Sequence, residues 1–199
     1  MNKLMKSITL IGKKVLSTVL LSLCVTTGFG QHIFNVDPVQ AAEIAAFMKQ
    51  PSAVEGKCNA EVLGIVTTAS EFSWDDINTW KNADGKVWAD GATADYAPTV
   101  FGFGFKKNAP YNGGASWICL ITNKDDDKWN PAIPGVADLK GNFILSNCNA
   151  TTVKIANSQI NTIKICMNNP TEDCYISTKR NSNLEQLDIS GSTGKLRQI

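Results

Sequence analysis

Aromatic residues crowd between positions 72 and 129, as Phe72, Trp74, Trp80, Trp88, Tyr96, Phe101, Phe103, Phe105, Tyr111, Trp117 and Trp129. Exposed Trp and Tyr faces hold sugars and peptides when nearby Asn and Asp satisfy the ligand's polar groups. Trp80, Trp88, Tyr96, Tyr111 and Trp129 are the candidate binding residues on this ground. Phe101, Phe103 and Phe105 share one face of a strand and are read as core. Glu71, Asp75, Asp76, Asp90 and Asp95 lie among the aromatics and could supply a carboxylate pair. A glycosidase needs no more than that, one carboxyl raised in pKa and one ionised, about 5 to 10 Å apart.

Other chemistries lack their residues. The chain has one histidine, His32, so Ser-His-Asp and Cys-His catalysis are poorly served, and no catalytic residue is assigned. No Cys-x-x-Cys spacing is present, which disfavours zinc and dithiol redox chemistry. Asn123, Asp125 and Asp127 imitate the start of a calcium loop, but Lys128 stands where its glycine belongs and Pro134 where its closing glutamate belongs. No metal and no cofactor is expected.

Charge is unevenly distributed. Of the 19 basic residues, Lys3, Lys6, Lys13 and Lys14 lie in the first 30 positions, which hold no acid; the rest carries 15 basic against 18 acidic residues, a net charge of −3. Residues 1–30 have the layout of a secretory signal: a basic head, the apolar run Val15 to Val25, then Gly28 and Gly30 before a cleavage point. The expected organisation is therefore a signal peptide over 1–30 and one extracytoplasmic domain over 31–199. An acidic mature chain with only isolated basic pairs disfavours nucleic acid, and no membrane span is expected after cleavage.

Cleavage removes Cys24 and leaves five cysteines, an odd number. In an oxidising compartment this predicts bridges Cys166–Cys174 and Cys119–Cys148, with Cys58 unpaired. Asp37 as cap, Pro38 in the first turn and Gln40 completing a capping box predict a helix over 37–50, and a shorter one is expected over Trp74 to Lys81 with Ser73 as cap. From Val62 onward β patterns dominate, in a β-rich region over 58–178 with no internal repeat. The clearest hairpin pairs Val153 and Ile155 with Ile163 and Ile165 across an Asn157-Ser158 turn. A polar tail over 179–199 ends in a segment, Leu187 to Leu196, that either adds an edge strand around Gly191 to Gly194 or stays mobile. The fold class expected is α+β: a mainly antiparallel β domain with an N-terminal helix and one short helix, stabilised by disulfides.

Ser116-Trp117-Ile118-Cys119, followed by a proline-containing loop and Cys148, resembles the disulfide-loop region of the globular head of type IV pilins; the N-terminal pilin motif is not matched. The resemblance implies assembly into a fibre. The functional expectation is an exported, disulfide-stabilised binding or structural protein at the cell surface, secreted or periplasmic, in adhesion or as an appendage component. Its partner is a protein or glycan, with homo-oligomerisation through the odd cysteine or the edge strand. A carboxylate-only glycan hydrolase and an exported inhibitor or toxin-like ligand are the alternatives.

Overall fold

Asp37 starts the first helix as its position predicts. In the computed structural model, which describes residues 37–87, 101–105, 115–122, 132–168 and 173–198, helix α1 (Pro38–Lys49) begins where the Asp37 carboxylate accepts from the amides of Val39 and Gln40, both at 3.0 Å. Those donors have no partner inside the helix, which is why a carboxylate there stabilises it. All the described residues belong to the unit Phe34–Ile199. The signal expectation for 1–30 and His32 lie outside them.

Gln40 does not close a capping box. Its amide donates to the Asn147 carbonyl at 2.9 Å, so the side chain serves a strand and not the helix start. A single turn, α2 (Asn59–Val62), follows with the Glu61 carboxylate accepting from the Cys58 amide at 2.8 Å. The predicted helix over Trp74–Lys81 shortens to a 3-10 helix at Ile77–Thr79, capped by Asp76. Ser73 is engaged elsewhere, since its carbonyl accepts from the Trp80 indole at 2.8 Å and from the Thr79 hydroxyl at 3.2 Å. Side chains that bond nearby backbone in this way compete with helix formation.

Among the described residues eight strands follow: β1 (Phe103–Phe105), β2 (Ala115–Ile121), β3 (Lys140–Cys148), β4 (Thr152–Ala156), β5 (Gln159–Met167), β6 (Asp173–Lys179), β7 (Gln186–Asp188) and β8 (Lys195–Gln198). They form a five-stranded sheet in the order β1-β2-β4-β6-β8 and a three-stranded sheet in the order β3-β5-β7. From β2 onward the chain alternates between the two, and every neighbouring pair after β1–β2 is parallel. This is a coil of stacked rungs, with roughly 20 to 24 residues per turn between partners such as Asn142, Thr162 and Gln186.

The mainly antiparallel α+β expectation is therefore overturned: only β1 and β2 run antiparallel within the sheets. Asn157-Ser158 explains the error. A two-residue hairpin would return the chain along its own strand, but here Asn157 alone takes a positive φ, 60°, and the chain crosses into the other sheet. The next rung repeats the corner at Arg180, φ 53°. The corners stack: the Asn157 amide donates to the Lys179 carbonyl, and the Ser158 amide and hydroxyl donate to Asn181 Oδ1 at 3.0 and 2.9 Å. Asn181 Nδ2 in turn donates to the Ile155 carbonyl at 3.0 Å.

Strand alternation fills the interior. Phe143, Leu145, Ile163, Ile165 and Met167 from one sheet meet Ile118, Leu120, Val153, Ile155, Cys174 and Ile176 from the other in one buried cluster. Helix α1 lies against β3, with Phe47 edge-on to Phe143 at 5.0 Å between centroids. Elsewhere a second side-chain ladder ties successive rungs, as Asn168 donates to Asn147 Oδ1 at 2.8 Å and accepts from the Thr193 hydroxyl at 3.0 Å.

Candidate functional site

Trp80 is wholly buried. Its ring lies 6.2 Å from Phe72 in a stack and 5.9 Å from Trp74 edge-on, while Phe72 meets Trp74 edge-on at 4.8 Å. The Lys49 ammonium sits over the Trp74 ring at 5.4 Å. Phe72 and Trp74 are half-buried against the core that holds Trp80, and the faces of Trp80 are taken up by that packing. Phe101 and Phe103 are buried, as their strand spacing predicts. Trp88, Tyr96, Tyr111 and Trp129 lie outside the described residues, as do Asp90, Asp95 and the segment Asn123 to Asn130.

The described acids near this cluster are exposed. Glu71 pairs with Lys81 at 3.2 Å. Its own backbone amide, with Lys81 and Ser70, holds its carboxyl below the usual carboxylate range, the opposite of what a general acid needs. Asp76 is engaged as the cap, accepting from the amide and side chain of Asn78 at 3.0 Å each. Among the described residues, no group of three His, Cys, Asp or Glu side chains could hold a metal ion.

The expected bridges are absent: Cys58, Cys119, Cys148, Cys166 and Cys174 are all free thiols, so the disulfide-stabilised expectation is overturned. Strand parity is the reason. Cys148 and Cys174 point into the main core, whereas Cys119 packs with Ile121 and Ala156 on the opposite face of its sheet. Cys166 sits between the inward-facing Ile165 and Met167, so it faces outward and donates to the Ser190 carbonyl at 3.4 Å. Each expected pair therefore places its two sulfurs on different sides of a sheet. Cys58 is unpaired, and burial together with the Glu61 carboxylate raises its thiol pKa.

What the coil does expose is the outer side of β6 in the five-stranded sheet; toward β2 the same face is buried at Cys119, Ile121 and Ala156. Parity turns Tyr175 outward, because Cys174 and Ile176 on either side of it are buried. At 43% exposure it is the one large aromatic described as open to solvent. Parallel register puts it beside Thr152 of β4, while the next row holds Lys154 and Ser177. Neighbouring strands place groups of one row about 4.8 Å apart, and successive rows lie about 6.6 Å apart along the strand. An aromatic face beside hydroxyls and an ammonium can stack on an apolar ligand surface while meeting its polar groups.

Sequence reasoning missed Tyr175. The signal was present in Cys174-Tyr175-Ile176, where an aromatic alternates with two apolar residues in a short strand. No helix among the described residues is long and apolar enough to cross a membrane. Comparison with known proteins finds no match to any family model, curated protein or solved structure.

Proposed function

We propose that the protein is an exported binding and structural protein of the cell surface, in which the parallel coil is a scaffold and the outer face around Tyr175 contacts a glycan or protein partner. The observation that carries this reading is the exposed Tyr175 ring on a face otherwise lined by Thr152, Lys154 and Ser177. Export rests on the basic head and apolar run of residues 1–30. Adhesion is the role such a surface serves when the ligand is a neighbouring cell or its coat.

The test is binding of the purified chain to an array of cell-surface glycans and to immobilised cell-surface proteins, alongside Tyr175→Ala. Retention on one ligand class, lost by at least tenfold in the variant while its thermal unfolding is unchanged, supports the reading. Binding that is absent on all surfaces, or that survives Tyr175→Ala, overturns it.

A further inference from the structure

The two ends of the coil are finished differently. At the β3 end, the outward-pointing backbone groups of the edge strand are met by side chains. Asn59 bonds both the amide and the carbonyl of Lys140, and Gln50 does the same for Asn142. Glu43 accepts from the Ser146 amide at 2.9 Å and from its hydroxyl, and Gln40 donates to the Asn147 carbonyl. A further strand has nothing left to pair with along most of this edge.

At the other end the interior is open. The row Phe143, Ile163, Leu187 is fully buried at its first two members, but Leu187 is 39% exposed. Leu184, Ile189 and Leu196 likewise pack against the core only in part. Strands β7 and β8 are the edges of their sheets, so their outer backbone groups face the same open end.

The last rung carries an acid on β7 and a cation on β8, each paired back to the rung before it. Lys164 pairs with Asp188 of β7 at 3.2 Å, and Asp173 pairs with Arg197 of β8 at 2.9 Å. Asp188 and Arg197 therefore give this end opposite charges on its two strands, a self-complementary arrangement. A second copy matches both charges when a two-fold axis lays β7 of one copy on β8 of the other.

We propose that the β7–β8 end is a self-association surface, on which a second copy of this chain seats its own β7–β8 rung to close a symmetric dimer. Leu187 of each copy is covered in the contact, and Asp188 of each meets Arg197 of the other. The capped β3 end restricts the assembly to a closed pair, because a head-to-tail stack needs that edge free. An end face one rung wide is small beside the roughly 1,600 Å² of a standard interface, so the dimer is weak and concentration-dependent. The inference does not depend on ligand binding at Tyr175.

Sedimentation velocity of the purified chain over a concentration series at low salt tests it. The expected result is a monomer–dimer equilibrium that Leu187→Glu weakens at least tenfold without changing the circular dichroism spectrum. Asp188→Lys and Arg197→Glu are each expected to be monomeric alone, since each opposes like charges twice in a symmetric dimer. Mixed, they are expected to regain the dimer, because both contacts are then between opposite charges. A chain that stays monomeric throughout, a dimer indifferent to Leu187→Glu, open-ended polymers, or variants that fail to complement would each overturn the proposal.

Discussion

The side-chain amide of Asn59 bonds Lys140 as a neighbouring strand would: Nδ2 donates to the Lys140 carbonyl at 2.9 Å and Oδ1 accepts from the Lys140 amide at 3.1 Å. The same Nδ2 also donates to the Phe47 carbonyl at 2.9 Å, so one fully buried carboxamide joins helix α1 to the edge of the coil. Two residues along β3, Gln50 repeats the pattern on Asn142 at 2.9 and 2.7 Å. Asn59→Ala takes a partner from the half-buried amide and carbonyl of Lys140 and from the Phe47 carbonyl, which keeps the Gln50 amide at 3.1 Å, and is expected to cost about 2 kcal/mol, at a penalty of roughly 1 to 3 kcal/mol per unmet group with partial relief by water. Gln50→Ala, at a more exposed site, is expected to cost about 1 kcal/mol. Urea denaturation of both variants checks the ranking, and faster hydrogen exchange at the Lys140 amide in Asn59→Ala locates the loss.

Gly135 holds the segment before β3 against α2 at a distance no side chain tolerates. Its φ is +81°, and a Cβ placed there would stand 1.8 Å from the Val62 carbonyl oxygen. The obstacle is backbone, which cannot rotate aside. Gly135→Ala is expected to destabilise by about 3 kcal/mol or more, combining left-handed strain with overpacking. Gly85, with a similar φ of +76° but open space around it, isolates the conformational part. Gly85→Ala is expected to cost about 1 kcal/mol. Equal losses at the two sites in thermal unfolding would show that close approach to Val62 contributes nothing.

Thiol reactivity follows from strand parity. Cys166 faces outward and is expected to react first with an aromatic disulfide reagent at pH 8, followed by Cys58, whose partial burial and Glu61 neighbour raise its pKa. Cys119, Cys148 and Cys174 are buried and are expected to react only on unfolding. Burial pushes the Cys148 thiol up to about 12, which leaves roughly one in 10,000 molecules as thiolate at pH 8. Mass analysis of each modified species during the time course gives the order, and early modification of Cys148 would show that β3 does not turn it inward.

Local signals were legible in the sequence where one element decides the outcome. The Asp37 cap, the alternating β4 and the Phe103 strand face each depend on residues within a turn or two. The coil depends on pairing between residues some twenty positions apart, which periodicity within a window does not see. Its signature is nonetheless in the sequence, since Asn157-Ser158-Gln159-Ile160-Asn161-Thr162-Ile163-Lys164-Ile165 is matched by Asn181-Ser182-Asn183-Leu184-Glu185-Gln186-Leu187-Asp188-Ile189. Read alone, Asn157-Ser158 looks like a hairpin turn; read against Asn181-Ser182, it is a corner that recurs. The cysteine pairing failed for a related reason, because proximity along the chain ignores which side of a strand each sulfur takes. Of the candidate binding residues Trp80, Trp88, Tyr96, Tyr111 and Trp129, Trp80 alone lies among the described residues, where it packs with Phe72 and Trp74, while parity exposes Tyr175.

Asp188 ties the last rung to acid stability. The Ser190 hydroxyl and amide donate to its carboxylate at 2.6 and 2.9 Å and Lys164 adds an ion pair, together lowering its pKa from 3.8 to about 2. A group whose pKa is lower in the folded than in the unfolded chain binds protons more weakly when folded. Its contribution is therefore complete above about pH 4 and is lost as pH falls toward 2. Glu71 and Glu61 are shifted in the same direction, so they add to the slope in the acid range without changing its sign. Asp188→Asn removes the titration while keeping an acceptor for Ser190. The variant is expected to be less stable than the parent at pH 6 and to approach it at pH 2, with a shallower dependence of the urea midpoint on pH between those limits. A parallel pair of pH curves would show that the Ser190 and Lys164 contacts do not persist in solution.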